Sequence, residues 1–163
     1  MTTSTSRFLP LLRRVCGAAA LLGIAAGLGA PVMSAASAAE FRSVSEAGVL
    51  YDAPSAKGKR LFVIRRYTPV EVVVNLEGWS KVRDADGGLA WIERKNLVEK
   101  RTVQVTADRA DVRAEADASA ALVFSAEKKV ALELISVGPA GWAKVRHRDG
   151  QEGFIRANQV WGL

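Results

Sequence analysis

Gly78-Trp79-Ser80-Lys81-Val82-Arg83 returns sixty-three residues later as Gly141-Trp142-Ala143-Lys144-Val145-Arg146. A repeat at a fixed period marks one structural unit used twice. Working outward at the same offset, Asp86-Gly87 meets Asp149-Gly150, and Ala90-Trp91-Ile92 meets Gly153-Phe154-Ile155. Upstream the offset is sixty-two: Phe62 meets Phe124, Arg66 meets Lys128, and Val70-Glu71-Val72 meets Leu132-Glu133-Leu134. The extra residue falls where the second copy reads Ser136-Val137-Gly138-Pro139-Ala140. That is turn composition, and a slightly longer surface turn costs little entropy.

Each copy reads as short strands broken by turns. Val70, Val72 and Val74 alternate with Glu71 and Val73, and Val130, Leu132 and Leu134 alternate with Ala131 and Glu133. A period of two is the pattern of a half-buried strand. Asp86-Gly87 and Asp149-Gly150 lie between apolar runs, where Asp-Gly supplies the positive φ of a tight hairpin. Residues beyond the leader carry no long 3.6-residue periodicity, so the fold class is all-β, a small barrel or sandwich in each copy.

Residues 1–39 are of different composition. Arg7, Arg13 and Arg14 are their only charges, Val15 to Met33 is apolar or small, and Ala36-Ser37-Ala38 and Ser37-Ala38-Ala39 fit a small-x-small cleavage site. This is the plan of a secretory signal peptide and places the protein in the periplasm or outside the cell. The rival is an uncleaved anchor, the only reading that gives the protein a membrane attachment; the many Gly and Ala residues make the segment weakly hydrophobic and favour cleavage. Arg13-Arg14 matches a twin-arginine signal only as a dipeptide. Cys16 follows the arginines and precedes the apolar run, the wrong order for lipidation, and leaves with the leader.

The domains are then a leader at 1–39 and two copies at 40–99 and 100–163. The leader carries three of the 23 basic residues and none of the 17 acidic ones, so the remainder carries +3 in place of +6. That modest charge, with export, argues against nucleic acid as a partner. Arg65-Arg66 and Lys128-Lys129 read as solvated strand edges that resist aggregation. The link Leu97-Val98-Glu99-Lys100-Arg101-Thr102-Val103 has no Gly, Pro or Ser, unlike a flexible linker, so the copies are expected to pack closely. Small units bury little surface alone, and mutual packing adds to it.

The order of these parts resembles the bacterial SH3-like domain family. The second copy supplies Ala110-Asp111-Val112-Arg113, the strand Lys129 to Ile135, Gly141-Trp142-Ala143-Lys144-Val145 and Gly153-Phe154-Ile155. The first supplies Val49-Leu50-Tyr51, Thr68 to Val74, Gly78-Trp79-Ser80-Lys81-Val82 and Leu89-Ala90-Trp91-Ile92. It departs at Tyr51-Asp52, where Val-Arg is common, and at Ala90, where Gly is usual. The resemblance covers nearly all of residues 41–163. It implies two tandem five-stranded, partly open barrels and a non-catalytic module of exported proteins that binds peptidoglycan or a cell-wall peptide. A scaffold for another envelope protein is the alternative.

Strand parity adds a candidate surface. With Val82 and Val145 pointing inward, Trp79, Lys81 and Arg83 share the opposite face, as do Trp142, Lys144 and Arg146. With Ile92 and Ile155 inward, Trp91 and Phe154 point out. Exposed aromatics beside cations mark contact surfaces. Three other outcomes stand beside that one. The loops Ala53 to Arg60 and Ala114 to Ala121 cap these rings, the rings form the seam between copies, or a bulge after Gly78 or Gly141 reverses the parity.

Catalytic and cofactor chemistry finds little material. The sole histidine, His147, sits between Arg146 and Arg148 before a turn, a poor place to orient a general base, and the exported chain has no cysteine. One His without Cys is too few ligands for a transition metal. Asp84-Ala85-Asp86-Gly87 resembles the start of a calcium loop, but the remaining ligands are missing and the other copy has an ordinary Asp-Gly turn. The expectation is no enzyme, no metal and no cofactor.

Overall fold

The computed structural model describes residues 39–163, and the leader expected at 1–39 lies outside them except for Ala39. Fourteen strand segments form two seven-stranded antiparallel sheets. The first contains β1 (Glu40–Val44), β2 (Gly48–Tyr51), β3 (Arg60–Ile64), β4 (Pro69–Leu76), β5 (Trp79–Arg83), β6 (Leu89–Glu93) and β7 (Leu97–Val98). The second contains β8 (Thr102–Val105), β9 (Arg109–Arg113), β10 (Leu122–Glu127), β11 (Ala131–Val137), β12 (Trp142–Arg146), β13 (Glu152–Arg156) and β14 (Val160–Trp161). Their orders, β3-β2-β6-β5-β4-β1-β7 and β10-β9-β13-β12-β11-β8-β14, are the same order twice. The all-β fold of two tandem units is therefore present, partly open, with seven segments per unit where five were expected. The added ones are the entry strand and a two-residue strand paired to it, Ser43 opposite Val98 and Val160 opposite Val105.

Two bulges recur at equivalent positions. In β3, Leu61 is the extra residue between Arg60 and Phe62 opposite Tyr51 and Leu50, and Val123 of β10 repeats it. In β4, Val73 is extra between Val72 and Val74, and Ile135 of β11 repeats that. An extra residue bends its strand and increases the local twist, which curls each sheet over its own apolar face. The bulges thus lie on β3 and β4 and on β10 and β11, not after Gly78 or Gly141, and the parity of β5 and β12 is preserved. Val82 and Ile92 are buried with Val44, Leu50, Ile64 and Val70 in the first core. Val145 and Ile155 are buried with Val103, Val105, Val112 and Leu132 in the second.

The Asp-Gly hairpins form as read. Gly87 and Gly150 adopt φ of 87° and 95°, a region that glycine enters without a Cβ clash. Asp84 is occupied by its own turn: its Oδ1 accepts from the amides of Asp86 at 3.0 Å and Gly88 at 2.7 Å. No group of three or more metal-ligating side chains occurs among the described residues.

The copies meet without a spacer. Thr102 of β8 donates its hydroxyl proton to the Tyr67 carbonyl at 2.8 Å, so the 2.6 Å bond between Ser43 and Thr102 is donated by Ser43. Ser43 and Thr102 are both buried. Phe41 and Trp161 stack edge to face at 5.0 Å beside them. Lys129 of the second copy reaches Asp86 of the first at 3.2 Å. The seam is built by Phe41, Tyr67 and Trp161, not by the repeated tryptophans.

Two stability outcomes follow from this geometry. Thr102→Val keeps the shape but strands the Tyr67 carbonyl and the Ser43 hydroxyl, at a cost of about 1–3 kcal/mol in urea unfolding. Adding Ser43→Ala removes one stranded group, so the double variant loses less than the sum of the singles; additivity would contradict a coupled hydroxyl chain. Gly153 packs so closely that a Cβ would lie 2.6 Å from the Arg113 carbonyl oxygen. Gly153→Ala is expected to lower stability by about 1–3 kcal/mol, as overpacking does, whereas the first copy already accommodates Ala90 at that position.

Candidate functional site

On the outer face the eight residues singled out from the sequence fall into two dissimilar groups. In the first copy Tyr51, Trp91 and Lys81 lie side by side across β2, β6 and β5. The Lys81 ammonium sits 5.9 Å from the Trp91 ring centre, and Trp79 meets Tyr51 edge to face at 5.4 Å. Trp79 and Trp91 are both part-buried. Arg83 is held by Glu71 at 2.8 Å.

In the second copy the same face is basic. Arg113 replaces Tyr51, Ser136 replaces Val74, Glu152 replaces Leu89 and Arg156 replaces Glu93. Lys144 and Arg146 are tied to Glu152 at 3.1 and 2.6 Å, and Phe154 lies between Lys144 and Arg113 in the ladder. Trp142 lies on the predicted face yet is only 3% exposed. The reason is Arg156, whose guanidinium carbon lies 4.2 Å from the ring centre and covers it.

Trp142 and Arg156 belong to an open groove of about 510 Å³, also lined by Arg109, Asp111, Arg113 and Leu122. Arg113 donates to the Ala120 carbonyl at 2.8 Å and to Asp111 at 3.3 Å, so it braces the loop after β9. Asp117 fastens that loop from within, accepting from the Ser119 hydroxyl and amide, and these bonds hold its carboxyl below the usual aspartate range. Arg109 donates to Ser125 at 2.9 Å. Neither Arg109 nor Arg156 forms an ion pair among the described residues, while Arg113 does. The groove therefore offers two guanidiniums outside any ion pair among the described residues, Arg156 above the indole and Arg109 in the lining, an arrangement that accepts a carboxylate.

Sequence reasoning missed Arg109, Arg113 and Arg156. The Val112-Arg113 start of the second copy and its Arg156 in place of Glu93 were the available signals. His147 donates from Nδ1 to Asp149 at 2.9 Å, and its ring packs against Phe124. The Asp149 carboxyl is held low by the Gln151 amide and by His147.

With this geometry in view, the comparison with known families is decisive. The bacterial SH3 domain model matches residues 44–99 and again 106–162. The chain belongs to the bacterial SH3 domain family. No curated protein matches the sequence. Among solved structures, this pair of SH3 domains is similar to NlpC2 from Trichomonas vaginalis, at 12% identity and TM-score 0.36, over 76% of this chain and 48% of that one. It is also similar to an NlpC/P60 family protein from Bacillus cereus, at 16% identity and TM-score 0.36, over 75% of this chain and 56% of that one. The chain thus spans about half the length of these proteins, and likeness at this level carries no functional argument. No helix among the described residues is long and apolar enough to cross a membrane.

The Glu152 cluster gives a pH outcome. Hydrogen bonds from Arg146 and then Lys144 hold the Glu152 carboxyl below its ordinary value of 4.5. A depressed acid stabilises the fold fully above its unfolded pKa and loses that contribution as pH falls through the lower folded value. The difference in melting temperature between wild type and Glu152→Gln is expected to hold near neutrality and shrink below about pH 4.5. A gap that stays constant into acid would show that the charge of Glu152 contributes nothing.

Proposed function

We propose that the protein is an exported, non-catalytic binding module that holds peptidoglycan through its stem peptides. The observation that carries this reading is the groove of the second copy, with Trp142 beneath Arg156 and with Arg109 unpaired at its side. Stem peptides present free carboxylates on short aliphatic residues. Two guanidiniums supply charge-assisted donors for such a group, Trp142 holds that of Arg156 in place from beneath, and the exposed Leu122 supplies apolar contact. Membership of the bacterial SH3 domain family and the leader-like residues 1–39 support the same reading. A non-catalytic role fits the chemistry: His147 lies outside this groove, in a separate hollow that it lines together with Phe124 and Ser125.

The test is cosedimentation of residues 40–163 with purified peptidoglycan. Arg156→Ala and Arg109→Ala, each checked for folding, are expected to weaken retention by about tenfold, or about 1.4 kcal/mol. Retention of wild type that equals a non-binding control would defeat the reading. Retention unchanged in both folded variants would remove the groove from it.

A further inference from the structure

The first copy carries an open edge whose charge the second does not match. β3 ends its sheet and pairs only with β2, so one side of its backbone has no strand partner among the described residues. Leu61, Phe62 and Val63 are consecutive in it and are 42%, 47% and 68% exposed. Neighbouring side chains of a regular strand point to opposite faces, so exposure of both Phe62 and Val63, beyond the bulge, marks an edge uncovered on both faces. Lys57, Lys59, Arg60, Arg65 and Arg66 flank this apolar run; all are exposed, and residues 57–66 contain no acid. None of the five forms an ion pair among the described residues; Arg66 alone is engaged, by the Ser45 carbonyl and the Tyr67 ring.

We infer that the β3 edge binds an extended acidic peptide segment of a partner protein by strand addition. Such docking takes its affinity from main-chain hydrogen bonds along an open edge and its specificity from alternate side chains. The charges select the occupant. A second copy paired antiparallel through β3 would set Lys59 and Arg60 against Arg65 and Arg66, and like charges placed opposite are destabilising. A strand with carboxylates at both ends meets a cation at each. The bulge at Leu61 leaves Phe62 to Ile64 as the regular stretch, long enough to fix a register between the two cationic ends. A lipid surface satisfies none of the open backbone groups, which a strand does. The repeat provides an internal control: β10 is the equivalent edge, with Leu122 and Val123 exposed, but residues 119–128 carry one acid and one base, Glu127 and Lys128. This site is separate from the groove of the second copy and does not rest on wall binding.

The test uses the full chain and a labelled peptide of alternating valine and threonine with paired glutamates at both ends, read by fluorescence anisotropy. Binding is expected, falling as salt is raised. The same peptide ended in lysines is expected not to bind. Methylating one alternate set of backbone amides is expected to abolish binding, while methylating the other set leaves it intact, a signature that simple charge attraction does not produce. Lys59→Glu with Arg65→Glu, unchanged in circular dichroism and melting, is expected to lose at least tenfold in affinity. The inference is overturned by any of three results: no binding of the glutamate peptide, equal binding to the charge-reversed variant, or indifference to both methylation patterns. Sedimentation showing that β3 is already closed by a second copy, or recruitment to anionic vesicles without peptide binding, also overturns it.

Discussion

A sheet of about sixty residues has one apolar face and no second layer to cover it, so it must bend over itself. That constraint governs each half of this protein. It is met by two bulges, at Leu61 and Val73 in the first copy and at Val123 and Ile135 in the second. Each adds a residue to one strand, bends it and brings Leu50 over Ile92, or Val112 over Ile155, into a closed apolar cluster. Placing the bulges on β4 and β11 also leaves β5 and β12 regular, which keeps Val82 and Val145 inside and the repeated lysines and arginines outside.

Two such units bury little surface separately, and here they share a seam. Its centre is a run of hydroxyls, Ser43 to Thr102 to the Tyr67 carbonyl, set in a buried position where no other partner is at hand. Apolar contact alone tolerates sliding, whereas a buried hydrogen bond is satisfied only in one placement and is costly when broken. The edge-to-face contact of Phe41 with Trp161 adds area on the same seam. The short charged link between the copies made close packing legible, but the residues that do the packing lie outside the repeated motif, so comparing the copies with each other did not reveal them.

One scaffold presents two different surfaces. Replacing Tyr51, Leu89 and Glu93 by Arg113, Glu152 and Arg156 turns an aromatic face into a basic groove without disturbing the core, because all of these positions point away from it. Their alternation was readable, since a strand has a period of two. Their combined chemistry was harder to read. Trp142, Arg113 and Arg156 come from three strands, and only the sheet order brings them together. The covering of Trp142 by Arg156 was likewise invisible: nothing in a linear pattern tells whether an outward ring meets water or a guanidinium.

The amino-acid sequence by itself determined that this protein is a tandem of two small β units. It also determined where the hairpins turn and which residues of a strand share a face, because repetition, Asp-Gly turns and two-residue alternation are local properties. Only the tertiary structure decided which strand lies at an open edge, where the bulges fall, which hydroxyls join the copies and which cations are already spent on Glu71 or Glu152. Those depend on neighbours supplied by distant segments. Pairing order and the balance of charge across a face come into existence only when the strands have assembled into the sheet.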